Sequence, residues 1–387
     1  MNKETFCAYP FNTIFLGADG GVKTCCSAQI DIGDINKQSI QEILQGPVAQ
    51  GIRQAIIEER WHPQCEQCQK LEAMGARSER VDTGSANKFE IFESATKETF
   101  ELQKLDLRWS NLCNLACNYC YEYFSSKWSI LKGIKVNANK AEAEDSLFTL
   151  IAENIDSLDS IETINLLGGE PLLQKQNHKL IDLLPTKNYY ILSNLSIDLP
   201  NNTIAPKLIA NENAQWGISF DTVGDRFEYV RHGAEWTTFV DNLRYLDKQG
   251  VKMINAHPLY CTYSAFNLCE YYDFIISEGY FNEVYWCAIQ NIRSLNVFKL
   301  PDNFKHKALA ELDKCIAKYG TSGYDMSALK NIRDQLVTTI GRTGDEWLVK
   351  KLEFTNWTHA TEVKYLSDKK HSFNELWPDF LVEWQDD

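Results

Sequence analysis

The sequence predicts an α/β fold, a partial (β/α)6 TIM-like barrel with a small N-terminal α+β domain and a helical C-terminal tail. Three observations lead there. Strand-like and helix-like patterns alternate from residue 102 to residue 290. A separate set of cysteines occupies the segment before residue 80. From residue 291 onward the periodicity is helical. Alternation of this kind implies right-handed βαβ units around a parallel sheet. Six strands are too few for a closed eight-stranded barrel.

The expected strands are Leu102–Trp109, Ile161–Leu167, Tyr189–Leu195, Gln215–Phe220, Val251–Tyr260 and Glu283–Ile289. Leu102-Gln-Lys-Leu-Asp-Leu-Arg-Trp109 alternates apolar and polar residues, as a half-buried strand does. Helical patterns lie between most of them, at Ala143–Ile155, Asn177–Leu184, Trp236–Gln249 and Asn267–Glu278. In the first segment, Thr13–Leu16 reads as a strand and Asp19-Gly20-Gly21 as a hairpin turn. Ser39–Glu59 reads as helix broken at Gly46-Pro47. Residues 81–101 read as a polar connector, with Asp82-Thr-Gly-Ser-Ala-Asn87 as linker or hairpin. The tail predicts helices at Phe304–Lys318 and Ala328–Ile340, then Trp347, Trp357, Trp377 and Trp384 as packing residues.

The chain has 387 residues, a length that suggests two or three units. Its formal charge of −14 argues against nucleic acid as a partner, since phosphate contacts need a basic face. No stretch approaches a membrane span, and the start carries no export signal, so a cytoplasmic location is expected. Twelve cysteines in that setting read as metal ligands and buried thiols rather than disulfides.

The reactive centre is expected at Cys113-Asn-Leu-Ala-Cys117-Asn-Tyr-Cys120, directly after the first barrel strand. A complete iron–sulfur cluster takes four thiolates, so three leave one iron open. An open coordination position marks a reactive site rather than a structural one. A zinc knuckle with its fourth ligand elsewhere is the competing reading. The second strand ends in Gly168-Gly169-Glu170-Pro171. With C-x3-C-x-aromatic-C and Gly-Gly-Glu-Pro each following a strand, the chain resembles the radical S-adenosylmethionine (SAM) superfamily. That resemblance implies a [4Fe–4S] cluster on Cys113, Cys117 and Cys120. It implies that Glu170 holds the SAM ammonium, that Gly168 and Gly169 allow close backbone approach, and that Tyr119 faces the adenine. It places ribose and carboxylate contacts at other strand ends, on Asn194, Ser219, Asp221 and Arg231. Helix capping and loop salt bridges are the alternative reading of these four.

Before residue 80, Cys7, the Asp19-Gly20-Gly21 turn, Cys25 and Cys65-Glu-Gln-Cys68 resemble the auxiliary-cluster region of SPASM/twitch proteins. That region usually follows the barrel in the family and here precedes it. The resemblance implies a second, auxiliary [4Fe–4S] cluster on Cys7, Cys25, Cys65 and Cys68. Cys26 competes with Cys25 as a ligand, and zinc competes with iron. A fully ligated cluster would transfer electrons rather than bind substrate. Cys269 and Cys315 read as buried thiols, whereas Cys261 and Cys287, near strand ends, are candidates to face the cavity.

The resemblance implies reductive cleavage of SAM to a 5′-deoxyadenosyl radical. The expected substrate is a peptide or peptide-like molecule, oxidised or cross-linked, with a flavodoxin- or ferredoxin-type protein as reductant. Modification of a small molecule, an amino acid or sugar, is the alternative. A non-catalytic metal-binding interaction protein is the alternative from another class.

Overall fold

The computed structural model describes residues 4–73, 78–135, 145, 147–149, 161–289, 292–341, 358 and 360–378. The chain forms two compact units, residues 1–112 with 135–191, and residues 113–134 with 192–387.

In the first unit, β1 (Thr13–Leu16), β4 (Lys104–Leu107), β6 (Thr163–Leu166) and β7 (Asn188–Ser193, whose last two residues belong to the other unit) are neighbours in a parallel sheet. Leu105 lies opposite both Ile14 and Ile164, and Ile164 opposite Tyr189, so each strand places apolar residues in one buried layer. The β1 strand also pairs antiparallel with β2 (Gly21–Lys23), which pairs antiparallel with β3 (Gly33–Asp34). The expected hairpin is there. Gly20 adopts φ +94°, and Asp19 Oδ1 accepts from Gly21 N at 3.2 Å. The cysteine-bearing segment before residue 80 therefore shares a sheet with the first barrel strand. The helix break is also as expected, with helices at Ile40–Leu44 and Pro47–Ile57.

The expected linker or hairpin at Asp82–Asn87 is neither. Residues Glu79–Asp82 form a helical turn and Ser85–Phe92 a 3-10 stretch. Phe92 is buried and stacks on Phe11, with ring centroids 5.6 Å apart. Too few apolar residues anchor this segment to leave a periodic signal.

In the second unit, β8 (Gln215–Ile218), β10 (Ile254–Ala256) and β12 (Glu283–Val284) are parallel neighbours. The fifth expected strand is interrupted and resumes as β11 (Leu259–Tyr260), because Pro258 has no N–H to give the ladder. The sixth resumes likewise as β13 (Cys287–Ala288), parallel to β11. A short antiparallel pair joins β5 (Ala116–Cys117) and β9 (Arg231–His232). Helices Trp236–Lys248, Leu268–Glu278, Asp302–Tyr319 and Ser327–Thr339 match the sequence expectation. The fold class is α/β, a partial TIM-like barrel, with β4, β6 and β7 parallel in the first unit and β8, β10 and β12 parallel in the second.

Most of the expected helix Ala143–Ile155 lies outside the described residues, as do Trp347, Trp357 and Trp384. Trp377 is buried against Phe373, Tyr229 and Tyr263. Among the described residues no helix is long and apolar enough to cross a membrane.

Candidate functional site

The three-cysteine loop is held mainly by its own backbone and by the helix that follows it. Cys117 pairs with Arg231 across the β5–β9 ladder, and Asn118 N donates to Val230 O at 2.8 Å. Cys120 N donates to Cys117 O at 2.9 Å, which turns the chain back. Ser125 caps helix Ser126–Lys132 and donates to Leu115 O at 2.7 Å. Ser126 Oγ accepts from Cys113 N at 3.1 Å, and Trp128 Nε1 donates to Cys117 O at 2.9 Å. Cys117 is buried, whereas Cys113 and Cys120 are half-buried. Burial raises the Cys117 thiol and pushes Cys120 up to about 12, with the neighbouring Cys117 adding to the second shift.

Behind the loop lies a buried polar network. Asp221 Oδ2 accepts from Tyr119 OH at 2.8 Å and from Arg231 Nη2 at 3.1 Å. Its Oδ1 accepts from Leu259 N at 2.8 Å. Asp221 is 1% exposed and Arg231 5%, so this is a desolvated ion pair with every oxygen engaged. Burial works against the Arg231 charge, but Asp221 and Tyr119 outweigh it and its pKa is raised. Asn194 donates to Asn114 Oδ1 at 3.0 Å and lies 3.9 Å from Cys113 Sγ. Ser219 N donates to Ser193 O at 2.9 Å. The structure thus brings Tyr119, Asp221 and Arg231 together and sets Asn194 against the loop.

In the other unit, the Gly-Gly-Glu stretch packs on residues 110–112, which run into Cys113. Glu170 N donates to Leu112 O at 2.8 Å. A Cβ on Gly169 would sit 2.3 Å from Leu112 O, and one on Gly168, at φ +116°, would sit 2.5 Å from Gln174 Nε2. The Glu170 side chain is buried, and its Oε1 accepts from Leu172 N at 3.2 Å.

Cys7, Cys25, Cys65 and Cys68 line a single cavity with Trp61, Gln64 and Arg80, while Cys26 is exposed and outside its lining. Cys7 precedes a helical turn whose Ala8 and Tyr9 N–H groups donate to Ser85 Oγ at 3.0 and 3.2 Å. Cys65 closes the 3-10 turn Pro63–Cys65, and Cys68 sits in helix Glu66–Ala73. Arg80 pairs with Glu72 and donates to Phe6 O at 2.7 Å. Burial, reinforced by the other thiols, pushes Cys7 up to about 11, Cys65 to about 12, and Cys25 well above its ordinary value.

Among the described residues no group of three or more His, Cys, Asp or Glu side chains is placed to hold a single metal ion. Two observations fit iron–sulfur groups. Soft sulfur donors gather on one cavity at the N-terminus. In the three-cysteine loop, the Asn118 side-chain nitrogen is buried without a hydrogen-bond partner. Of the remaining cysteines, Cys261 is fully buried, with its thiol raised to about 12, and Cys287 is exposed.

Sequence reasoning missed Ser85, Arg80, Ser126, Trp128 and Lys369. A Ser-Ser-Lys-Trp cap signal preceded the helix after the loop. Nothing in the sequence links Lys369 to Asn118, 251 residues apart.

Residues 107–275 match the radical SAM superfamily, and residues 7–69 match SPASM, an iron–sulfur cluster-binding domain. No curated protein matches. Among solved structures, the chain is similar to native anSMEcpe with bound AdoMet, at 18% identity and TM-score 0.42, over 57% of this chain and 62% of that one. It is similar to Streptococcus suis SuiB bound to S-adenosylmethionine, at 13% identity and TM-score 0.42, over 70% and 60%. For SuiB bound to the precursor peptide SuiA the values are 12% and 0.44, over 78% and 68%. The chain thus spans less than two thirds of the first two.

Proposed function

The chain belongs to the radical SAM superfamily and carries its SPASM region ahead of the barrel, and from that premise we propose that it cleaves SAM reductively and abstracts hydrogen from a peptide or peptide-like substrate. The observation that carries this reading is the loop itself. Its three thiols lie within eight residues, and Ser126 and Trp128 of the helix that follows hydrogen-bond its backbone.

When bound and reduced by one electron, the [4Fe–4S] cluster with SAM supplies a 5′-deoxyadenosyl radical that takes a hydrogen atom from the substrate. In this proposal Cys113, Cys117 and Cys120 hold that cluster. Gly168 and Gly169 keep the backbone close to the chain entering the loop, and Glu170 supplies the negative charge for the SAM amino group. Tyr119, Asp221 and Arg231 position the loop from behind. Cys7, Cys25, Cys65 and Cys68 hold the auxiliary cluster. A flavodoxin- or ferredoxin-type protein donates the electron. The SuiB–SuiA complex supports a peptide substrate by analogy alone.

The test is anaerobic reconstitution followed by SAM and dithionite. The proposal expects 5′-deoxyadenosine and methionine from the wild type and none from a Cys113/Cys117/Cys120 triple alanine variant. Product formation stimulated by peptides, and not by free amino acids or sugars, supports the peptide class. The reverse pattern overturns it.

A further inference from the structure

The C-terminal segment comes back to the three-cysteine loop. Leu366 is fully buried with Ala116 and Trp128, and Tyr365 and Cys120 pack on the same cluster. Three residues on, Lys369 Nζ donates to Asn118 Oδ1 at 3.1 Å and to the Tyr229 carbonyl, and lies 3.9 Å from the Tyr229 ring centroid.

Two deficits meet at this point. The first is charge. Every hydrogen-bond acceptor of the Lys369 ammonium is neutral. The nearest carboxylates, Glu362 and Asp368, favour the charge from a distance but are bonded to other groups: Glu362 accepts from Tyr229 OH and Phe373 N, and Asp368 contacts His232. Arg231 is balanced by Asp221, and in the 180 Å³ cleft that Lys369 also lines, Glu228 and Glu235 pair with Lys370 and Asp225 with His371. Among the described residues no carboxylate bonds it directly, and a half-buried ammonium without a directly bonded counter-ion is costly. Burial pulls its pKa down to about 7, against the opposing pull of Glu362, Cys117 and Asp368.

The second deficit is a hydrogen-bond acceptor. An ammonium can only donate, so Asn118 must turn its oxygen toward Lys369. That fixes the amide's orientation on chemical grounds. Its nitrogen then faces away, fully buried and without a partner. Asn118 sits between Cys117 and Tyr119, inside the loop. An anionic, sulfur-rich group on the loop would supply both a facing negative charge and the missing acceptor.

We propose that Lys369 and Asn118 act as a positioning pair that supplies positive charge and an N–H donor to the cluster on Cys113, Cys117 and Cys120, raising its reduction potential. The inference rests on the function proposed above. Hydrogen bonds to cluster sulfurs and nearby charge are recognised controls of such potentials.

The test is an EPR-monitored redox titration of the full-length, anaerobically reconstituted protein, following the signal that changes when SAM is added. The variants are Lys369→Met, Lys369→Arg, Asn118→Ala and, as an exposed control, Lys370→Met. Lys369→Met and Asn118→Ala are expected to move the midpoint to more negative potential. The shift should be at least tenfold in the oxidised-to-reduced ratio, about 59 mV for a one-electron couple. Lys369→Arg and Lys370→Met should keep the wild-type value, with iron per chain unchanged. Loss of iron in Lys369→Met but not in Lys369→Arg also supports the charge role. An unchanged midpoint in Lys369→Met overturns the inference, as does an equal shift or equal iron loss in Lys369→Arg. A wild type without a SAM-responsive signal overturns the proposed function as well, which separates the two failures.

Discussion

The three-cysteine loop and the four-cysteine cavity gather their thiols in opposite ways. The loop draws Cys113, Cys117 and Cys120 from one turn of chain, shaped by bonds from Ser126 and Trp128 and by a salt bridge behind it. The cavity collects Cys7, Cys25 and the Cys65–Cys68 pair from stretches that only tertiary structure joins, with Ser85 and Arg80 tying the first of them down. A loop that holds its own shape can leave a coordination position open. A site assembled across many residues gains shape from whatever binds it, because metal binding there is coupled to folding.

The largest expected effect tests the first half of that contrast. Asp221→Ala leaves Arg231 buried without its partner and removes the acceptor for Tyr119 and Leu259 N. A loss of about 3–5 kcal/mol in unfolding free energy is expected, read from urea denaturation under argon. An unaffected midpoint would mean the loop does not lean on this pair.

Gly169→Ala comes next. Its Cβ would meet Leu112 O at 2.3 Å, one residue before Cys113, and backbone must move. A fall of tenfold or more in 5′-deoxyadenosine formation, about 1.4 kcal/mol, is expected in a chromatographic assay. Ser85→Ala tests the other region. It removes the acceptor of Ala8 N and Tyr9 N beside Cys7, at about 1 kcal/mol in thermal unfolding.

Away from both thiol regions, His257 contributes to a loss of stability in acid. Burial pulls its pKa from 6.5 down to about 4. The folded state then binds fewer protons than the unfolded chain. The stabilisation is present above pH 6.5 and is lost as pH falls through about 4. Urea midpoints measured between those values should show this slope, and His257→Phe should reduce it. Cys26→Ala gives the smallest effect. The thiol is exposed and outside the cavity lining, so iron per chain should not change, whereas Cys25→Ala should lower it.

The loop was legible because its ligand candidates and strand are neighbours in sequence, and spacing alone brings three cysteines into one turn. The parallel strands were legible for the same reason, each carrying its own period of burial. The local structure around Asp82–Asn87 was misread because Phe92 and Ser85 act singly, with no pattern around them. The choice between Cys25 and Cys26 was open in sequence because adjacent residues differ only in direction, and direction is a tertiary property. Asp221 and Arg231 read equally well as ligand contacts or as a salt bridge, and in the fold they pair with each other. Lys369 was silent because its partner lies on a distant loop.

The most direct test of two iron–sulfur sites, one open and one closed, is to count iron and sulfide per chain after anaerobic reconstitution. Wild type is compared with the Cys113/Cys117/Cys120 triple alanine variant. The account predicts about eight irons falling to about four. A wild type with about four irons that falls to none would leave no iron–sulfur cluster in the N-terminal cavity, and a count unmoved by the triple substitution would remove the cluster from the loop.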